Sequence, residues 1–380
     1  MVRTHPLKIL VVSSVQPQKL GLGGQLILDR LLSHPGLQWK ACPRSNSSTK
    51  KRLYNRLRRT RFQNLAWFAE TFSPLRVRRE TVDAAIAEFQ PDVLLSVIHG
   101  WDFLSAVEAS RRWNKPLVLL TQDWWPDNHE VAPLLRSWVG AAVRRACRRS
   151  HRVICVSQGM RQALGKLPNS TVLHDLPSRP PSTTRPRASE KFGLIYAGNL
   201  YEYGPMVERA ARALSSSDRV HLDIYGPEPW WTPGYADQLR AAGNYHGLIP
   251  PQDLLLQATG YDAALITMSF EPHLRRRMET SFPSKMIELA QLHLPLMIWA
   301  PPYSSAVKWA QERDSAICVT DDSPAAVLTA AETLARSTDL QQRLRSASRR
   351  AALAEFNPEL IHARFVSILE GARAHRSHVV

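Results

Sequence analysis

With 380 residues, 44% of them apolar, the chain exceeds what a single hydrophobic core usually supports, and two soluble domains are expected. Its formal charge of +16 is lopsided: residues 1–180 hold 28 Lys and Arg against 12 Asp and Glu, residues 181–380 hold 21 of each, and an anionic partner for the first half follows. Four cysteines without metal-ligand spacing exclude a zinc knuckle or a disulfide framework, and no apolar run reaches the ~18 residues of a membrane helix, so a cytoplasmic location is expected, with any membrane contact peripheral.

In chain order, short apolar runs alternate with helical patterns. Strands are predicted at residues 8–12, 93–97, 117–121 and 153–156, and helices at 25–32, 103–113 and 132–149. This alternation argues for a parallel sheet covered on both faces. The stretch Pro177 to Glu190, with four prolines among Ser, Thr and Arg, can join neither a sheet nor a helix interior, so 177–189 reads as a linker. The rhythm then restarts, with strands at 192–196, 220–225, 263–266 and 296–299 and helices at 206–214, 235–241, 253–258 and 286–292. The expected fold class is α/β, with two doubly wound domains, 1–176 and 190–380, facing each other across a cleft. Ligands of such sheets bind beyond the carboxyl ends of the strands, so functional residues should lie just after strands.

Several unusual residues do. The loop Gly21-Leu-Gly-Gly-Gln25 follows the first strand and opens a helix, where glycines let backbone amides approach an oxyanion. It lacks the third glycine and the later acid of a dinucleotide fingerprint. His99-Gly-Trp-Asp102 and Gln122-Asp-Trp-Trp-Pro-Asp127 follow the next two central strands and supply groups suited to sugars. Residues 50–61, KKRLYNRLRRTR, are basic without an acid; with Leu53, Leu57, Leu65 and Phe68 at helical spacing they suggest an amphipathic helix for an anionic membrane, the contact extending over 50–79. In SFPSKMIELAQLHLPLMIWAPP (281–302), Ser281 or Ser284 can cap a helix that begins near Pro283, where Lys285 adds charge to an anion site and Glu288, one turn on, suits a ribose.

Four segments, GLGGQ, RVICVSQGM (152–160), LIYAGNL (194–200) and TSFPSKMIELAQLHLPLMIWAP (280–301), resemble retaining nucleotide-sugar glycosyltransferases of the GT-B fold and the family 4, or group 1, type. The resemblance implies that the N-terminal domain holds the acceptor and the C-terminal domain the donor, with the last helix, about 358–373, packing back on the first domain. It further implies that Gly23, Gly24, Gly198, Ser284 and Lys285 meet the donor diphosphate, that Glu288 holds the ribose, that Gly247, Leu248 and Ile249 read the base, and that His99 is a catalytic residue, together with Gly23, Gly24 and Lys285.

The pattern is not complete. Thr280 stands where the family's first motif acid is expected, beside Glu279. Asn199 and Tyr203 replace the Arg and Lys that often follow the C-domain glycine, and Gln122 replaces a frequent histidine. Arg275, Arg276 and Arg277, in the loop before the helix, are the cations expected to compensate. Gln122, Asp123, Trp124, Glu279 and Thr280 are expected at the sugar or acceptor. The implied reaction moves a sugar from a nucleotide-diphosphate donor, UDP- or GDP-linked, to a lipid-linked, glycan or small-molecule acceptor, as in polysaccharide or glycolipid synthesis. Retention is expected, with neither metal nor cofactor. A sugar-nucleotide epimerase of the same architecture and a non-catalytic nucleotide- or glycan-binding homologue are the alternatives, and no nucleic-acid motif accompanies the charge.

Overall fold

Each half of the alternation folds into its own parallel sheet. The computed structural model describes residues 5–19, 23–43, 53, 56, 57, 60, 63–72, 76–128, 131–186 and 190–374. Gly21, most of the basic stretch 50–61 and the last part of the expected linker, 187–189, lie outside them.

In the first unit, β1 (Leu7–Val11), α1 (Gly24–Leu32) and β2 (Leu37–Ala41) are followed by α2 (Gln63–Phe72), α3 (Arg79–Phe89) and β3 (Val93–Val97). Then come α4 (Asp102–Arg112), β4 (Leu117–Thr121), α5 (Arg136–Arg149), β5 (Arg152–Cys155), α6 (Gln158–Ala163) and β6 (Ser170–Val172). The strand order is β2-β1-β3-β4-β5-β6, all neighbours parallel. Strands β3 and β4 are buried along their whole length, as continuous apolar runs covered on both faces require. The chain reverses direction of growth between β1 and β3, which makes their carboxyl ends the switch point of this sheet.

The second unit comprises β7 (Phe192–Ala197), α7 (Gly204–Leu214), β8 (Val220–Tyr225), α8 (Tyr235–Ala241), α9 (Pro251–Ala258) and β9 (Ala263–Thr267). It continues through α10 (Arg275–Thr280), α11 (Ser284–Ala290), β10 (Leu296–Trp299), α12 (Ser305–Arg313), β11 (Ala316–Val319), α13 (Pro324–Arg336) and α14 (Thr338–Leu353). Its strand order is β11-β10-β9-β7-β8, again all parallel, with the switch point between β7 and β9.

The division falls at Leu176/Pro177, and the chain from Ile361 onward belongs to the first unit. The last helix, α15 (Pro358–Ala374), buries Ile361, Phe365, Leu369 and Ala372 in one core with Leu7, Ile9 and Val11 of β1 and Leu28 and Leu31 of α1. His362 Nε2 lies 2.9 Å from the Leu31 carbonyl oxygen. The proline-rich stretch carries no helix or strand among its described residues, yet it is stitched to the second unit: the Arg185 amide donates to Thr259 Oγ1 at 2.8 Å. Two local readings are corrected. Arg275, Arg276 and Arg277 open a helix, α10, rather than a loop, because Arg275 pairs with Glu279 one turn on, at 3.0 Å. Ser281 does not cap α11; its hydroxyl donates to the Arg277 carbonyl, 2.8 Å, closing the helix before it, and Pro283 is the cap residue, without a side-chain cap bond. Among the described residues no helix is long and apolar enough to cross a membrane.

Candidate active site

In the first unit the carboxyl ends of β1, β3 and β4 come together. Ser13 Oγ accepts the amides of Val15, 3.1 Å, and Val97, 3.3 Å, tying the turn after β1 to β3. Gly100 has φ +78°, and a Cβ there would stand 2.5 Å from Ser14 Oγ, so only glycine lets the two turns meet. Ser14 donates to Asp102, a carboxylate only 1% exposed, which also accepts the Val77 amide at 2.8 Å. Asp102 therefore holds the framework, while His99 stands partly exposed at the end of β3.

Helix α1 begins beside these turns. Gly23, at φ +53°, is its cap residue and supplies no side chain to the first-turn amides. A Cβ on Gly24 would lie 2.6 Å from Gln122 Oε1, so the structure brings together the glycine loop and the residue after β4. Gln122 Nε2 is buried and has no hydrogen-bond partner among the described residues. Asp123 is partly exposed beside it. Trp124 is 8% exposed, lies in the core and carries the Arg144 guanidinium 5.9 Å from its ring centre, which makes it packing rather than an open sugar platform.

In the second unit the turns after β7 and β8 and the segment before α9 converge. A Cβ on Gly226 would meet the Gly198 carbonyl oxygen at 2.5 Å. The Gly198 amide donates to the Tyr225 carbonyl, 3.1 Å, and the Gly226 amide to that of Gly247, 3.0 Å. Gly247 has φ +71°, Leu248 is 57% exposed and Ile249 follows at the rim of a neighbouring pocket. The turn after β7 is also clamped to α10: Arg277 pairs with Glu202 at 2.6 Å, and Tyr203 Oη reaches Met278 Sδ at 4.0 Å. Glu279 receives Arg275 and, at 3.6 Å, Arg276, so these cations are already partly balanced. Thr280 is fully buried with its hydroxyl on the Arg276 carbonyl, 2.8 Å, and presents nothing to a sugar.

Helix α11 starts after this clamp, with Ser284 and Lys285 partly exposed in its first turn. Glu288 is 7% exposed, and its two oxygens accept the amide, 3.0 Å, and the hydroxyl, 3.4 Å, of Ser178. The expected ribose ligand is thus held by the chain's own segment after β6.

Residues 41–174 match the model of Glycosyltransferase Family 4. Solved structures of 12–14% identity share the fold over nearly the whole chain. Anabaena Alr3699/HepE in complex with UDP has a TM-score of 0.65, with 96% of this chain and 99% of that one covered at 14% identity. Sucrose-phosphate synthase from Thermosynechococcus elongatus has a TM-score of 0.68, with 97% and 100% covered at 12% identity. The chain has the GT-B fold, and its residues 41–174 resemble family 4. WaaG, a glycosyltransferase involved in lipopolysaccharide biosynthesis, is a further fold neighbour, with a TM-score of 0.57, 96% and 100% coverage and 13% identity. A search by sequence among curated proteins finds no match.

The chain contains groups that sequence reading did not single out. Gly226 is one, although Gly-Pro directly after an apolar strand is a turn signal that could have found it. Ser14, Gly100 and Ser178 act across 88, 86 and 110 residues of chain and left no local pattern. A pocket of about 700 Å³ beside the Gly247 turn is lined by His221, Asp223, Tyr225, His246 and Tyr261. Asp223 accepts from Tyr261 Oη at 2.7 Å, and His246 and His221 stand 3.3 and 3.6 Å away. Burial alone would raise the Asp223 pKa, but His221, His246 and Tyr261 together hold this carboxyl well below the usual range. His246 stacks on Tyr225, ring centres 4.6 Å apart. Asp223 thereby fixes the residue that precedes Gly247.

Proposed function

We propose that the protein is a glycosyltransferase that moves a sugar from a nucleotide-diphosphate donor to a hydroxyl of a glycan, lipid-linked or small-molecule acceptor, with retention at the anomeric carbon. The observation that carries the reading is the convergence of the Gly198, Gly226 and Gly247 turns at the carboxyl ends of β7 and β8, where the missing Cβ atoms let backbone segments approach closely. The second unit is read as the donor holder. The Gly198 turn and the first turn of α11, with Ser284 and Lys285, receive the diphosphate; Glu288 takes the ribose and the Gly247 to Ile249 turn the base. Charge builds on the diphosphate as the glycosidic bond breaks. Preorganised amides and the Lys285 ammonium are suited to stabilise it, and loss of one such donor typically costs ~10² to 10³ in rate. No protein nucleophile is assigned.

The first unit is read as the acceptor side. His99, Gln122 and Asp123 are its hydrogen-bonding groups, and the uncapped amides at Gly23 and Gly24 are suited to an oxyanion. The HepE structures with UDP and UDP-glucose favour UDP-sugars as the first donors to test.

The test combines ligand-induced stabilisation by UDP, GDP and ADP with release of nucleoside diphosphate from the matching sugar conjugates in the presence of acceptor extracts. Lys285→Ala is expected to keep the fold and to lower turnover at least about a hundredfold. Wild-type turnover in Lys285→Ala would reject the diphosphate site. A second reading, a nucleotide-binding homologue without turnover, draws on the occupation of Glu288 by Ser178, and it predicts stabilisation by nucleotide with no release from any donor.

A further inference from the structure

The turns that follow β7 and β8 hold two aromatic rings in solvent. Trp230 is 67% exposed and Tyr201 40%, with ring centres 5.1 Å apart and planes tilted by 51°, so each ring covers only part of the other. The backbone beneath both is anchored. The Trp230 amide donates to the Leu200 carbonyl at 3.2 Å, and the Tyr201 amide to Asn199 Oδ1 at 2.7 Å. Trp231, the next residue, fastens its turn: Nε1 donates to the Gly204 carbonyl at 2.8 Å, and the ring packs edge-on against Tyr235 and Tyr245. Buried Glu208 then fixes Thr232 through its amide, 2.9 Å, and its hydroxyl, 2.6 Å. Packing thus accounts for Trp231 and gives Trp230 no part in the core. An indole held open on a fixed turn is preorganised for a ligand, since little freedom remains to be lost on binding.

We infer that Tyr201 and Trp230 form a carbohydrate-binding platform on the second unit. The C–H faces of a sugar ring match the negative faces of indole and phenol rings, while its hydroxyls need polar groups at the rim. Such a rim is present: Glu228, two residues before Trp230, is exposed and pairs with Arg240 at 3.2 Å, and Arg240 also pairs with Asp237 at 2.7 Å. A carboxylate and a guanidinium side by side accept from and donate to adjacent hydroxyls. Charge decides against other occupants. Glu202 follows Tyr201 directly, Arg277 and Arg240 are already paired with carboxylates, and residues 181–380 carry no net charge, so the phosphates of a nucleic acid or an anionic bilayer meet no surplus of cations. A neutral glycan fits both the open rings and the balanced rim. The inference stands apart from the transfer reading, because it uses no group placed at the diphosphate, the ribose or the base.

The experiment is titration calorimetry of the full chain with neutral linear hexamers of glucose, mannose, galactose and N-acetylglucosamine. At least one is expected to bind without any nucleotide present. Trp230→Ala and Tyr201→Ala should each weaken that binding about tenfold or more. Trp230→Phe keeps an aromatic face and should bind within about threefold of wild type, while losing the change in tryptophan emission that the glycan causes. Both residues are exposed, so thermal unfolding of the variants should stay within a few degrees of wild type. Lys285→Ala should bind the glycan as wild type does, which separates a failure here from a failure of the diphosphate site. No binding of any hexamer, or wild-type binding by both alanine variants, overturns the inference. So does uridine binding that Trp230→Ala abolishes while glycan binding persists, which would assign the rings to the base, or a dimer that Trp230→Ala dissociates without loss of glycan binding, which would assign them to a second copy of the chain.

Discussion

Glu288 shows what burial does to a carboxylate proposed to receive a ligand. At 7% exposure it needs donors at all times, and in the free protein Ser178 supplies them. The two Ser178 bonds are unequal: the amide at 3.0 Å is a sound hydrogen bond, whereas the hydroxyl at 3.4 Å is long. Ser178→Ala should therefore change donor KM by no more than about threefold, since the amide remains. Glu288→Gln, which weakens charge-assisted bonds worth ~1.5–3 kcal/mol, should raise donor KM about tenfold or more with a smaller change in kcat. Steady-state kinetics on the two variants checks this. Equal effects would mean that Glu288 serves only to anchor the segment after β6. The sequence singles out this acid by its place one turn beyond Lys285. It does not single out the partner, because a bond across 110 residues leaves no spacing to read.

At the scale of elements, the glycines separate two kinds of close approach. The atom nearest a Cβ on Gly24 is the end of the Gln122 side chain, which can swing away; the atoms nearest a Cβ on Gly226 are the Gly198 carbonyl oxygen at 2.5 Å and Leu200 Cδ1 at 2.8 Å, which cannot move without shifting a turn. Gly24→Ala is therefore expected to leave thermal unfolding within a few degrees of wild type while lowering turnover by displacing Gln122. Gly226→Ala should destabilise the second unit by ~1–3 kcal/mol and weaken nucleotide binding as well. Unfolding curves and donor kinetics on the pair test the distinction. The strands that carry these turns were legible almost to the residue, because buried parallel strands read as continuous apolar runs: Val93–Val97, Leu117–Thr121 and Leu296–Trp299 coincide with their predicted spans. The edge strand β2, LQWKA, was missed since its residues after Leu37 are exposed or only partly buried, which leaves no such run. The short α10 was missed because three consecutive arginines obscure helical periodicity, although the Arg275 to Glu279 spacing was there to be read.

On the scale of the whole molecule, the first unit is not one continuous stretch of chain. The first unit is closed by the helix that ends the described chain, so residues more than 340 positions apart, Leu7 and Phe365, share one core. Composition alone could suggest two domains but could not assign α15 to either. Phe365 is fully buried, and truncating such a ring typically costs ~3–5 kcal/mol through lost burial and the cavity left behind. Phe365→Ala is thus expected to lower the unfolding transition of the first unit, although the residue follows the second unit in sequence. The readout is differential scanning calorimetry with and without nucleotide. Ligand bound by the second unit should raise that unit's transition by mass action, and the transition lowered by Phe365→Ala should be the one that the ligand does not raise. A substitution that lowered the ligand-raised transition would place the Phe365 core in the donor-binding unit and refute the division at Leu176/Pro177.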